Sequence, residues 1–129
     1  MKADAEAYLH KALENLAAAE ADVEAGRHNP ASSRGYYAAF QAAVAILIEN
    51  EVRPRGDAWD HRFVISQFSG KLIRRRKVLP ARLTGTLDVL LARRLRADYR
   101  PSGVSQSNAK DSVARAGEFV EEINRKLKG

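Results

Sequence analysis

Arg94 and Asp98 are the first residues in this chain to suggest chemistry. Leu83, Leu87, Leu90 and Leu91 mark one face of the segment that ends near Tyr99, and at 100° per residue Arg94 and Asp98 continue that face. They stand four apart, so on a helix they are neighbours. Two charges on an apolar stripe are expensive to bury unless they pair, so the pair calls for a reason. It is either an ion pair that fixes the loop after it, or a polar site at a cleft or a dimer seam. Arg93 and Arg96 point elsewhere, largely to solvent. Tyr99 adjoins the pair and either packs the loop or offers a phenol to a ligand. His61 either starts a helix with its ring hydrogen-bonded or reaches the Arg94 site in the folded chain. His10 and His28 fall among exposed positions.

Charge gives a second lead. The formal net charge is +6, but Lys71 to Arg100 holds ten Lys and Arg against two Asp, Asp88 and Asp98. The rest of the chain is mildly acidic. Arg74, Arg75, Arg76 and Lys77 form the densest part of this basic section. It is either a solvated face or an electrostatic surface for phosphates or an acidic partner.

These residues need a scaffold, and the pattern gives an all-α one. The 129 residues fit a single domain, residues 1–129, and a hydrophobic share of 45 % is enough for one core. A first helix is expected from about Ala3 to Ala25, with Ala5, Tyr8, Leu9, Ala12, Leu13, Leu16 and Val23 on one stripe and Gly26 as its stop. A second is expected from about Pro30 to Asn50, with Asn29 as N-cap. Its Tyr36, Tyr37, Phe40, Val44, Leu47 and Ile48 face the core among many alanines, so it should be the central helix. Val52–Asp57 reads as a loop. A shorter third helix starts at Asp57 or Asp60 and carries Phe63, Val64, Phe68 and Leu72. The basic run follows it and ends near Pro80. A fourth helix is expected over about Ala81–Asp98. After the loop Pro101–Gly103, Ser105 caps a fifth helix from about Gln106 to Leu127. Its Val113, Ala116, Val120, Ile123 and Leu127 keep the spacing of a helix–helix seam. No run alternates as a strand does. The expectation is an antiparallel bundle of four to five helices.

The composition also excludes chemistries. Without cysteine there are no disulfides or thiolate metal sites. There is no Gly-rich phosphate loop, no Ser/His/Asp nucleophile arrangement and no metal-ligand cluster, so no cofactor is expected. The tyrosines and Phe40 lie on core stripes and read as packing rather than as base-stacking platforms. No signal peptide or membrane span is evident, and a cytoplasmic protein is expected.

Taken in order, several segments resemble the small prokaryotic HEPN domains. They are Tyr8-Leu-x-Lys-Ala-x-x-Asn-Leu16, Arg34-Gly-Tyr-Tyr-Ala-Ala-Phe40, His61 before an aromatic-bearing helix, Arg94-x-x-Ala-Asp-Tyr99, and Ala116-Gly-Glu-Phe-Val120. The resemblance implies a helical bundle that pairs as a homodimer. It also implies a toxin-type role beside a minimal nucleotidyltransferase, and in active members a metal-independent ribonuclease. There an Arg, four to six residues and a His meet their copies across the dimer. An imidazole would move protons and a guanidinium would stabilise the phosphorane charge. This chain departs from that motif, because Arg93 or Arg94 is followed by Asp98 and not by histidine. Arg55 and His61 have five residues between them, but in a Pro/Gly loop, which makes that match accidental. By the same resemblance Tyr99 is a candidate acceptor for nucleotidylation by the partner.

The candidate catalytic set is therefore Arg94, Asp98 and His61. Arg74, Arg75, Arg76, Lys77, Arg93, Arg96 and Tyr99 are candidates for binding RNA or a nucleotide. The alternative is a non-catalytic module that binds RNA or a nucleotide or holds a nucleotidyltransferase.

Overall fold

The computed structural model describes all of residues 1–129 and contains no strand. Its helices are α1 (Ala3–Glu24), α2 (His28–Glu49), α3 (His61–Gln67), α4 (Thr86–Tyr99) and α5 (Gln106–Lys128). A π-helical segment, Phe68–Arg75, continues α3 without a break, and a single 3-10 turn, Ala81–Leu83, precedes α4.

Helix α2 is the centre, packed by α1, α4 and α5. Its Ala38, Ala39, Ala42, Ala43 and Ala45 are fully buried, together with Tyr36, Val44, Leu47 and Ile48. With small side chains on several sides, neighbouring helices can approach closely. α1 contributes Ala5, Leu9, Ala12, Leu16 and Ala19, and α5 contributes Val113, Ala116, Phe119, Val120 and Ile123. Leu13 was expected in the α1 stripe but is exposed on its outer side. It lies one residue past Ala12, about 100° round the helix from that buried position.

The termini alternate between two ends of the bundle. At one end the Asn29 Oδ1 of α2 accepts the backbone N–H of Val104, just before α5, at 2.9 Å. At the other, Glu49 accepts the Lys2 backbone N–H at 2.8 Å, and Arg53 pairs with Asp4. The α1–α2 turn carries a buried charge: Asp22 is 1 % exposed and accepts from Arg27 and Arg34 at 2.8 and 2.6 Å.

Two helix starts and the course of the third helix differ from expectation. α2 begins at His28 and not at Pro30. Asn29 is inside the first turn, and its side chain holds the α4–α5 loop instead of capping its own helix. Pro30 remains in the first turn, where its missing N–H has no helical partner to lose. α4 begins at Thr86 and not at Ala81, because Gly85 takes a left-handed conformation, φ +83°, that interrupts the helix. The third helix begins at His61, capped by the Asp60 carboxylate accepting from Phe63 N–H at 2.9 Å, but from Phe68 it rewinds as a π-helix that takes in Arg74 and Arg75. The Ser105 cap of α5 is as expected, its Oγ accepting from Asn108 N–H at 3.0 Å.

Candidate functional site

The Arg94–Asp98 pair forms as the spacing requires, with Nε to Oδ2 at 3.1 Å and side chains 14 % and 31 % exposed. It does not fix the loop that follows. That loop is held by other groups: Arg96 Nε donates to the Gly103 carbonyl at 3.1 Å, Asn29 holds Val104, and Arg93 reaches Asp111 of α5 at 2.5 Å and the Ser112 hydroxyl at 3.3 Å. Arg93 was expected to point to solvent. It is half-buried instead, because α5 packs against that side of α4 and brings Asp111 to it.

Arg94 turns the other way, toward α2. Its guanidinium lies over the Tyr37 ring, 5.0 Å from the centroid, a cation–π contact in a partly desolvated place. The same rings hold His61. Its imidazole centroid is 4.9 Å from Phe40, 5.4 Å from Tyr36 and 6.4 Å from Tyr37. The start of α3 and the end of α4 therefore meet over the aromatic face of α2, and Arg94 and His61 share one site. Sequence spacing could not show this, since the two residues are 33 positions apart and on different helices.

A hydrogen bond of 2.5 Å between Tyr36 Oη and His61 Nδ1 fixes the imidazole. Its direction follows from burial. Tyr36 is 0 % exposed, and Nδ1 is its one hydrogen-bond partner. If Nδ1 carried the proton and donated, the phenol hydrogen would be stranded in the core, at a penalty of about 1–3 kcal/mol. Tyr36 O–H therefore donates to Nδ1, and the neutral ring carries its proton on Nε2. Burial and the nearby Arg94 charge both depress the His61 pKa, and the Asp60 carboxylate offsets only part of this. Burial raises the Tyr36 pKa well above the ordinary phenol value, so the phenol stays a donor. Two hydrogen-bond donors thus lie close together beside Tyr37, the Arg94 guanidinium and a neutral histidine with its proton on Nε2.

An open groove of about 470 Å³ adjoins His61 and is lined by His61, Arg62, Ile65, Ser66, Asp88 and Leu91. Tyr99 is 70 % exposed beyond the pair, in a separate shallow concavity with Arg96 and Arg100. The basic run is not part of this site. Arg76 donates to the Asn50 carbonyl at the far end of α2. Tyr37 and Asn50 are thirteen residues apart on or just past that helix, so Arg94 and Arg76 are separated by roughly 20 Å along it. Arg74, Arg75 and Lys77 are exposed there. No group of His, Asp and Glu is arranged to hold a metal ion.

Tyr36, Tyr37, Arg62 and Asp88 were not singled out by the sequence. The tyrosines read as core residues, and Tyr36 is one. The signal they did carry was their adjacency: consecutive residues diverge by 100°, so Tyr36 is fully buried while Tyr37 stays at the edge of the core. Arg62 and Asp88 carried no signal, since they come to line one groove only in the folded chain.

Among comparisons with known proteins, a family model described as the HEPN domain matches residues 5–126. No curated protein sequence matches the chain.

Proposed function

Because the chain belongs to the HEPN domain family, we propose that it is the RNA- or nucleotide-binding, toxin-type component of a nucleotidyltransferase-linked pair, with Arg94 and His61 as its phosphate-holding groups. The observation that carries this reading is that the Arg94 guanidinium and the His61 imidazole both pack beside Tyr37, while other residues hold the loop. A guanidinium makes strong, paired hydrogen bonds to phosphate oxygens. The neutral imidazole adds a donor without adding a second buried cation. In the resting site Asp98 occupies part of the Arg94 fork, and an incoming phosphate exchanges with it.

The second reading is a metal-independent ribonuclease, favoured by one observation: His61 supplies the imidazole that α4 lacks. The same geometry weakens it. With Tyr36 donating to Nδ1 and the proton on Nε2, the ring has no free lone pair to act as a base. It becomes an acid only after protonation, which burial and Arg94 oppose. Two copies pairing is part of the proposal, and the exposed Leu95 and Tyr99 on α4 offer apolar surface for it. Sedimentation would measure that state.

The test is fluorescence anisotropy with a short labelled RNA, beside gel analysis of the same RNA incubated in EDTA. The wild type should bind and leave the RNA intact. Arg94→Ala, losing hydrogen bonds to a charged group worth about 1.5–3 kcal/mol, should bind at least tenfold more weakly. Cleavage that disappears in Arg94→Ala would instead establish the nuclease. Neither binding nor cleavage would leave a protein that holds its partner.

A further inference from the structure

The π-helical segment has a geometric effect on the basic residues. On an α-helix Arg75, nine residues after Ser66, would face about 180° away from it at 100° per residue. π-winding, with its i→i+5 bonds, fits more residues into each turn. Phe68–Arg75 is wound this way, and Arg75 comes round to the Ser66 side. Ser66, Gln67, Gly70, Lys71 and Arg75 accordingly line one groove of about 280 Å³. Ser66 also lines the groove beside His61. The two grooves share this residue and follow α3 and its continuation, from His61 past Arg62 to Lys71 and Arg75, with Arg94 beside His61 at the Tyr37 ring.

Charge in the second groove is one-sided. Arg62, Lys71 and Arg75 have no ion-pair or side-chain hydrogen-bond partner, unlike Arg76, which Asn50 holds. Carboxylates occur only in the His61 half, where Asp88 lines the groove, Asp60 adjoins His61 and Asp98 pairs with Arg94, and no acid lines the Ser66–Arg75 groove. No large aromatic or aliphatic side chain lines that groove either, which suits a sugar–phosphate backbone better than an apolar helix.

We propose that this path is a binding track for single-stranded RNA. One phosphate is held at Arg94 and His61, and the following ones are carried past Arg62 to Lys71 and Arg75. The proposal rests on the phosphate-site reading above and extends it to a ligand of defined length. From His61 to Arg75 the path is roughly 20 Å long at the helical rise, the reach of about six stacked nucleotides at about 3.4 Å each. The π-segment is what aligns the two grooves, so the track depends on it.

The experiment compares uridine monophosphate with oligouridylates of two to ten nucleotides, by competition anisotropy, for three proteins. They are the wild type, Arg94→Ala and the double variant Lys71→Ala/Arg75→Ala, each checked for intact helicity. Wild-type affinity should rise with length and level off near six nucleotides. The double variant should lose at most twofold on the monophosphate and tenfold or more on the ten-nucleotide strand. Its log K against log salt should also flatten by about 0.7 for each phosphate the variant no longer neutralises. Arg94→Ala should weaken both ligands. Equal binding of the long strand by the double variant and the wild type, with Arg94→Ala still defective, would overturn the track and leave the phosphate site standing. Failure of the wild type to bind any of the ligands would remove the site and the track together. Competition by polyglutamate as strong as by RNA would also overturn the proposal, since the groove would then read charge and not nucleotides.

Discussion

His61 is the residue whose chemistry depends most on its neighbours. Its pKa is depressed, first by burial and then by Arg94. Proton-coupled NMR of the imidazole should give a value below the usual 6.5, and Arg94→Ala should raise it. The same shift makes a prediction for stability. Where the folded pKa lies below the unfolded one, the unfolded chain binds more protons, so stability rises with pH. Stability should fall as pH drops from neutrality through about 6.5, until the folded-state pKa has also been passed. His61→Gln should flatten that part of the profile, read by denaturant melts across pH. Asp22 acts in the same sense, in a more acidic range. Burial pushes its pKa up, but the bonds from Arg27 and Arg34 outweigh that and hold it below 3.8. Its contribution is therefore present above about pH 4 and is lost as acid protonates the folded carboxylate. The arginines are half-exposed, whereas Asp22 is 2 % exposed at its side chain. Removing both arginines strands a buried charge, while removing the acid frees two cations that can turn to water. Arg27→Ala/Arg34→Ala should accordingly cost about 3–5 kcal/mol, clearly more than Asp22→Asn, by urea unfolding.

At the scale of elements, the helices and the starts of α1 and α5 were legible in the sequence, and the starts of α2 and α4 were not. Apolar periodicity located all five helices, because burial of one face leaves a repeat that the chain cannot hide. The buried faces of α2 and α5 follow that repeat closely. Starts depend on single interactions from elsewhere. Asn29 has the chemistry of a cap, but the Val104 N–H competes for it from 75 residues away. Gly85 could have been read as a break, yet helical leucine spacing runs through it. The π-segment leaves the apolar repeat Val64, Phe68, Leu72 unchanged, so nothing in the pattern announces it. Glycines give a test at this scale. Gly26 and Gly103 both have positive φ, +77° and +64°. A Cβ at Gly26 meets open space, whereas at Gly103 it would drive into the Asn29 side chain. Gly26→Ala should cost about 1 kcal/mol from backbone strain alone. Gly103→Ala should cost distinctly more in thermal melts, because it also displaces the Asn29 side chain that holds the α4–α5 loop.

At the scale of the whole molecule, the candidate site is an intersection of α2, α3 and α4. Arg94 and Asp98 were legible because they share a helix and a face. The meeting of His61 with Arg94 was not, since it depends on how α3 lies along α2. The basic section looked like one surface in sequence, and the fold divides it. Arg93 and Arg96 tie α4 to the α5 region, Arg76 holds the end of α2, and Lys71 and Arg75 are turned into a groove. Net charge alone therefore overstates the cations free to meet an anion. The salt dependence of RNA binding should reflect about four neutralised phosphates, a slope near −3 for a single strand, and not the ten cations of Lys71–Arg100.

The central claim is that Arg94 and His61 act on one phosphate. A double-mutant cycle tests it most directly: short-RNA affinity of the wild type, Arg94→Ala, His61→Ala and the double variant, at one salt concentration. If both groups hold the same phosphate, each single variant weakens binding and the double variant loses less than the product of the two. The coupling should lie at about 0.5–3 kcal/mol. Equal affinity in all four proteins, or losses that multiply with no coupling, would contradict a shared site.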